Sequence, residues 1–417
     1  MLSSKTNKEI IQLKVEKVVF PGKGLAHYRG KPIFIYATIE NETVTAFLLK
    51  ENRKFANALP VEIVEKSPLR ITPSCPYSLV TCSKCTDISS YCPGCTYQHI
   101  KYEHELSIKQ SQFIEFLSRN IPQFNPSVCH SPVPSPTNLF YRNKIVLHAL
   151  KTQNKFLLGY FSTDNTTIVN INSCHLAMHP INCKISEISA NITNFLQNIE
   201  TPLRITFRAI SGKEAIFWKE NSSIPQITIH EPTIIGNIQT HPTSFFQINP
   251  AVMNLLLSDF IQTIKNFLFE KVVDLYGGVG IFGLAAAMNG AKKTFISDID
   301  PLAINYASLN ARALNIHSVS TVIGSAEKVA DSIWDKENDR TLLILDPPRT
   351  GLSRKIVSKI LHHKPATICY ISCAPDTLAR DMQLLTKSVY QLKETRFFDM
   401  FPRTPYFESL SWLSLRK

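Results

Sequence analysis

Two short segments near the C-terminal end place a reactive side chain at the close of an apolar run. Leu345-Asp346-Pro347-Pro348-Arg349 ends a strand-like stretch with a carboxylate, and its two prolines enforce an extended turn where a flat base can sit. Ile371-Ser372-Cys373-Ala374-Pro375 ends the next such stretch with a thiol in the equivalent place. A cysteine after an apolar strand is more often a small buried hydrophobe. Beside Asp346 and a glycine loop, Cys373 reads instead as a nucleophile. That loop follows Val272-Val273-Asp274-Leu275, and five of the chain's 14 glycines lie between positions 277 and 290. Gly278-Val279-Gly280-Ile281-Phe282-Gly283 matches the dinucleotide fingerprint, and Asp298 and Asp300 follow where acids accept hydrogen bonds from ribose hydroxyls. The same loop geometry serves any adenosyl ligand, so this match leaves nicotinamide chemistry and methyl transfer both open.

Groups so placed require a doubly wound sheet, and the last third of the chain alternates accordingly. Strands are expected at 271–275, 293–297, 342–345 and 366–371, with helices reaching Asn289 and spanning Pro301 to Leu314. Asn249-Pro250 signals the start of another helix, with Val252, Leu256, Phe260, Ile264 and Phe267 on one face. The expected architecture is an α/β Rossmann-like domain at 236–417, preceded by a β-rich central domain at 71–235 and a small oligonucleotide-binding type β-barrel at 1–70. Within the central stretch, Glu105 to Asn120 has helical spacing, and residues 121–137, with five prolines, read as a linker. Candidate strands follow at 145–150, 156–161, 203–210 and 226–230.

Forty-five Lys and Arg against 33 Asp and Glu give a net charge of +12, spread along the chain, which favours a polyanionic partner. Residues 1–70 alone hold 12 basic and 7 acidic side chains, net +5. With 44% hydrophobic and 19% charged residues, bulk disorder is excluded. The polar start of the chain has no apolar signal core, and its longest apolar stretch, 275–291, is rich in glycine, so a cytoplasmic protein without a membrane span is expected. Ten cysteines in such a setting suggest metal or catalytic sites more than disulfides, and five of them with two histidines crowd between Ile71 and His104.

The blocks Phe245-Phe246-Gln247-Ile248-Asn249, Asp274-Leu275-Tyr276-Gly277-Gly278-Val279-Gly280, Asp346-Pro347-Pro348-Arg349, Ser372-Cys373-Ala374-Pro375-Asp376-Thr377-Leu378-Ala379-Arg380-Asp381, and Asp399-Met400-Phe401-Pro402-Arg403-Thr404 with Glu408 resemble the RNA 5-methyluridine methyltransferases, in family order. The resemblance implies S-adenosylmethionine as methyl donor, Cys373 as the nucleophile that adds to C6 of uracil, and Glu408 as the base that takes the C5 proton. It implies cofactor contacts from Gln247, Tyr276, Asp298 and Asp346, with Ser325 as a further candidate. Two positions depart from the family pattern: Gly277 stands where Cys is usual, and Ile281 where Asn is frequent. The first suits a loop that needs small residues, whereas the second removes a polar contact to the cofactor. Phe245, Tyr406 and Phe407 are candidates to stack on the target base.

Cys75, Cys92, Cys95 and Cys174 resemble the four ligands of the family's iron-sulfur branch, which implies a [4Fe-4S] cluster, with zinc as the physical alternative. Cys82 and Cys85 match the compact spacing about as well, but Thr96-Tyr97-Gln98-His99 follows the Cys92 pair as it does in that branch. Cys129, Cys183 and Cys369 read as ordinary small residues. The segment from Phe20-Pro21-Gly22-Lys23-Gly24 to Ser67-Pro68-Leu69-Arg70 resembles the RNA-binding TRAM barrel. TRAM together with a cluster resembles the 23S rRNA branch. A tRNA substrate and a catalytically impaired RNA-folding factor are the alternatives, and a monomer is expected.

Overall fold

The computed structural model describes residues 10–79, 88–153, 155–196, 200–210, 212–220, 222, 225–334 and 340–416. The first unit contains β1 (Ile10–Lys14), β2 (Lys17–Val19), β3 (Lys23–Tyr28), β4 (Lys31–Ile35), β5 (Thr43–Glu51) and β6 (Ala56–Glu65), in the order β1-β5-β6-β4-β3-β2. Alternating side chains such as Ile11, Leu13, Val44, Ala46, Ile33 and Ile35 fill its core. A turn over residues 20–22 leads into β3, which begins at Lys23. A Cβ on Gly24 would lie 2.2 Å from Thr38 Oγ1, so this close crossing needs glycine within a strand. Buried Glu42 closes the unit by accepting from Ile39 N, Ser67 N and both Nε and Nη2 of Arg70.

A cysteine-bearing loop leads into α1 (Tyr102–Asn120). Phe113 and Leu117 of this helix belong to the core beneath the large C-terminal sheet, beside α9 below. The proline-rich stretch after it is no free linker: it lies parallel to an edge strand, with His130 N donating to Thr395 O and Asp399 N to Val133 O, both at 2.9 Å. The central unit contains β7 (Lys144–Lys151), β8 (Phe156–Phe161), β9 (Ile168–Asn170), α2 (His179–Ala190), α3 (Ile192–Phe195), β10 (Leu203–Ile210) and β11 (Glu214–Lys219). Its antiparallel sheet, ordered β11-β10-β7-β8-β9, packs one face on Ile181, Ile185 and Ile188 of α2. A hairpin of β12 (Ile229–Thr233) and β13 (Gly236–Thr240) follows.

The last unit runs α4 (Pro250–Ile264), β14 (Lys271–Asp274), α5 (Ile281–Met288), β15 (Lys293–Asp298), α6 (Pro301–Ala313), β16 (Val319–Ile323), α7 (Ala326–Ile333), β17 (Thr341–Leu345), α8 (Arg354–His363), β18 (Thr367–Ser372), α9 (Pro375–Lys387), β19 (Tyr390–Phe398) and β20 (Glu408–Leu415). The sheet order is β16-β15-β14-β17-β18-β20-β19, parallel through β18 and antiparallel at β20. Both faces are covered: Val272 and Ile344 point into one core, and Val273, Leu343 and Leu345 into the other. This is the doubly wound, Rossmann-like arrangement expected from the alternation of strands and helices. Its connectivity dictates the site. Asp274, Asp298, Asp346 and Cys373 all fall at the carboxyl ends of parallel strands, and antiparallel β20 begins at that same edge, where Ser409 pairs with Ser372 and sets Glu408 beside Cys373.

Candidate active site

Cys373 lies between the end of β18 and the first turn of α9, half-buried. Burial, then the neighbouring Glu408 carboxylate, push its thiol up to about 12, whereas the hydrogen-bonded Arg349 guanidinium pulls the other way. Arg349 spans the gap between the thiol and Tyr406, its Cζ 4.4 Å from the ring centroid. The loop that carries Arg349 is tied down from α9. Thr377 Oγ1 donates to Arg349 O at 3.0 Å, Arg380 Nη2 to Thr350 O at 2.9 Å, and Leu352 N to the buried Asp381 at 2.7 Å. Arg349 carries no signal of this role in the sequence beyond its place in the Asp346 turn.

Glu408 is 2% exposed, and its Oε1 has no hydrogen-bond partner among the described residues. Burial and then Asp346 raise its carboxyl well above the usual range, offset in part by a hydrogen bond from Gln247. Gln247 is held there by Asn143, which donates to its carbonyl at 3.4 Å, just ahead of α4, whose first turn Asn249 Oδ1 caps. A buried carboxylate with a free oxygen next to a thiol can accept a proton in a water-poor pocket.

The cofactor end is acid-rich. Asp346 is pushed up to about 7 by burial and by Asp298, and Asp274 to about 8 by burial and by Asp346. Asp298 accepts from Gly278 N at 3.0 Å and Asp300 N at 2.9 Å, while Asp274 accepts from Gly283 N at 3.1 Å. Gly278 has φ +52° and open space where a Cβ would stand. Carboxyls that repel one another around an open glycine loop fit a cationic adenosyl sulfonium, which relieves the repulsion and offers ribose hydroxyls to Asp298. Tyr276 and Ser325 flank the loop near Glu327, and Gly324 N donates to Asp298 O at 2.9 Å. Ile281 is 8% exposed and packed in the core, so it offers the cleft nothing polar. Of the candidate stacking aromatics, Phe245 is 68% exposed and Tyr406 half-buried, but Phe407 is not available. It is 1% exposed and packs edge-on against Phe113 because the start of β20 turns its alternate side chains into the core.

The four candidate cysteine ligands are brought together. In all six pairings among Cys75, Cys92, Cys95 and Cys174, charge on one thiol raises another, and burial raises the Cys75, Cys92 and Cys95 thiols further, Cys92 to about 12. The Arg142 guanidinium lowers Cys92 and Cys95, and Tyr160 donates to Cys174 Sγ at 3.6 Å. Among the described residues no three His, Cys, Asp or Glu side chains are set to hold one metal ion as they stand. Cys82 and Cys85 lie outside the described residues.

Residues 144–416 match the family described as tRNA (uracil-5-)-methyltransferase. A 23S rRNA (uracil(1939)-C(5))-methyltransferase RlmD of Shewanella sediminis is 27% identical, over 99% of this chain and 98% of its own. An uncharacterized RNA methyltransferase of Aquifex aeolicus is 28% identical, over 97% of this chain and 99% of its own. Among solved structures, the Pyrococcus abyssi tRNA (uracil-54, C5)-methyltransferase in complex with S-adenosyl-L-homocysteine aligns with a TM-score of 0.72. It is 23% identical and covers 96% of this chain and 100% of its own, a likeness of fold. The family match takes in the glycine loop, the acid-bearing strand ends and the Cys373–Glu408 pair alike, so the chain belongs to the tRNA (uracil-5-)-methyltransferase family and is an S-adenosylmethionine-dependent RNA methyltransferase.

Proposed function

We propose that this enzyme methylates C5 of a uridine in 23S rRNA through a covalent adduct on Cys373. The observation that carries the reading is the juxtaposition of a thiol, a guanidinium on that thiol and a buried carboxylate with one unpartnered oxygen. The thiol is protonated at rest; its proton passes to solvent water as the uracil enters, and Arg349 stabilises the thiolate that remains. Sulfur then bonds to C6, and the C5=C6 electron pair moves into the ring as an enolate. Gln247, Tyr276, Asp298, Ser325 and Asp346 would hold S-adenosylmethionine, which would supply the electrophilic methyl that C5 receives and leave as the neutral thioether S-adenosylhomocysteine. Glu408 takes the C5 proton, the double bond re-forms and Cys373 departs as thiolate.

For the branch, the RlmD relatives favour ribosomal RNA, as do the basic TRAM-like first unit and the cysteine centre. Cys75, Cys92, Cys95 and Cys174 are proposed to hold a [4Fe-4S] cluster, supported by their mutual proximity and by Arg142 as a counter-charge to its thiolates. When bound, such a cluster supplies a rigid, redox-active cross-link between the cysteine loop and the central sheet. The test is quantification of 5-methyluridine by mass spectrometry in 23S rRNA and tRNA from cells with and without the gene, complemented by wild type or by Cys373→Ala. Loss from 23S rRNA that only wild type restores is the expected result. Loss from tRNA alone overturns the ribosomal branch, and restoration by Cys373→Ala overturns the mechanism.

A further inference from the structure

One face of the central sheet packs on α2; the other carries a different set of side chains. The register places Lys144 opposite Arg208, Thr206 opposite Val146 on one side and Trp218 on the other, and His148 opposite Arg204, so these share the second face. His148 packs against Phe161 there with the rings tilted by 40° and their centroids 4.3 Å apart, and Lys144 Nζ lies 5.8 Å from the Trp218 ring. Trp218 is partly exposed, while the other two tryptophans, Trp334 and Trp412, are buried. Positive charge on this face is in surplus. Buried Glu231 is committed to Arg208 at 3.0 Å, and Glu220 reaches Arg204 only at 4.0 Å. Among the described residues Lys144 has no carboxylate within ion-pair distance, and burial with the Arg208 and Arg204 charges lowers its ammonium to about 8.

The face is continuous with the active site. Lys144 Nζ and Arg208 Nη1 both donate to Pro242 O at 3.4 Å, at the base of the loop that carries Phe245 and Gln247. Asn143, next to Lys144, donates its backbone N–H to Ile248 O at 2.9 Å. We propose that this outer face, from Lys144 and Arg204 across Trp218, is the track for the single-stranded RNA flanking the target nucleotide, with phosphates on the two cations and a base on the indole. The proposal rests on RNA being the substrate. It follows from charge complementarity and from continuity with the pocket: a strand whose nucleotide is drawn in beside Gln247 must leave over a neighbouring surface, and this one offers cations interleaved with aromatic rings.

The test titrates the full chain with poly(U) at several salt concentrations, reading tryptophan fluorescence and anisotropy of labelled RNA. Trp218→Ala is expected to weaken binding at least about fivefold, the low end for loss of one stacked base. Trp218→Phe is expected to restore affinity while abolishing the RNA-dependent fluorescence change. Lys144→Gln and Arg204→Gln are each expected to lower the slope of log K against log salt by about 0.7, the value for one phosphate contact to a single strand. S-adenosylmethionine affinity, measured in parallel, reports that each variant is folded. Variants that hold cofactor and bind poly(U) with wild-type affinity and slope overturn the proposal. A wild-type protein that binds neither poly(U) nor transcribed rRNA overturns the substrate reading beneath it.

Discussion

The acid cluster at the glycine loop makes cofactor affinity depend on pH in a way that reports the charge of the ligand. Asp346 is raised to about 7 because it is buried facing Asp298, with Asp274 raised behind it. A raised carboxyl is largely protonated at pH 6 and ionised at pH 8. S-adenosylmethionine carries a positive sulfonium and selects the ionised form, whereas S-adenosylhomocysteine has a neutral thioether and does not. For one group of pKa 7 that must ionise on binding, the apparent Kd scales as one plus the ratio of proton concentration to acid constant. Between pH 6 and pH 8 that factor falls about tenfold, or about 1.4 kcal/mol. The expected outcome by titration calorimetry is that S-adenosylmethionine binds about tenfold tighter at pH 8 relative to S-adenosylhomocysteine, with proton release visible in buffers of different ionisation heat. Asp346→Asn is expected to flatten the difference. Parallel pH profiles for the two ligands, or a pH-dependent difference that survives Asp346→Asn, would refute the electrostatic account.

Three other consequences are testable on purified protein. Arg349→Ala removes a charged hydrogen bond from the Cys373 thiolate, and is expected to slow iodoacetamide alkylation of Cys373 by about 10- to 100-fold; equal rates mean the guanidinium does not govern the thiol. Glu408→Gln is expected to cut turnover at least about 100-fold while a protein–RNA adduct accumulates on denaturing gels. Turnover near wild type without adduct removes Glu408 from the base role. Lys109 is fully buried between Glu105 and Asp399 at 2.8 and 2.6 Å, so Lys109→Met removes the cation the two facing carboxylates share and leaves them to Arg403 and the Tyr102 hydroxyl. Urea unfolding is expected to show a loss of about 3–5 kcal/mol, and a change under about 1 kcal/mol would mean the network is dispensable.

The parts of this protein that were legible in sequence are those governed by local rules. β14, β17 and β18 are buried on both faces and therefore read as continuous apolar runs, and the turns after them announce themselves through Gly278, Pro347 and Pro375. Cys373 and Asp346 inherit their legibility from those strand ends. Glu408 has no such local signal, because its place depends on the antiparallel insertion of β20 between β18 and β19, a pairing across long sequence separation. The same limit applies to Arg349, whose contact with Tyr406 joins two distant loops, and to the proline-rich stretch whose docking on β19 is made through backbone atoms. Gly24 within β3 serves a close crossing with Thr38, a long-range contact that no local rule announces.

The departure at position 277 shows how such a local feature is settled by its neighbours. A Cβ on Gly277 would meet Ile296 Cγ2 at 2.5 Å and Asp274 Oδ2 at 3.0 Å, and one on Gly283 would meet Ile296 Cγ1 at 2.7 Å. Ile296 of β15 therefore fills the space over the loop that a larger residue at 277 would require, and presses it against the Asp274 carboxyl that accepts from Gly283 N. Glycine at 277 and isoleucine at 296 form one packing solution, so the loop keeps its shape without the side chain common in the family. Ile281 completes the same solution from below by burying its side chain in the core. With no polar side chain at 281, the charged groups of this cleft are the carboxyls of Asp298 and Asp346, so under the proposed assignment the ligand's charge matters more to binding than it would in a site lined by neutral side chains alone.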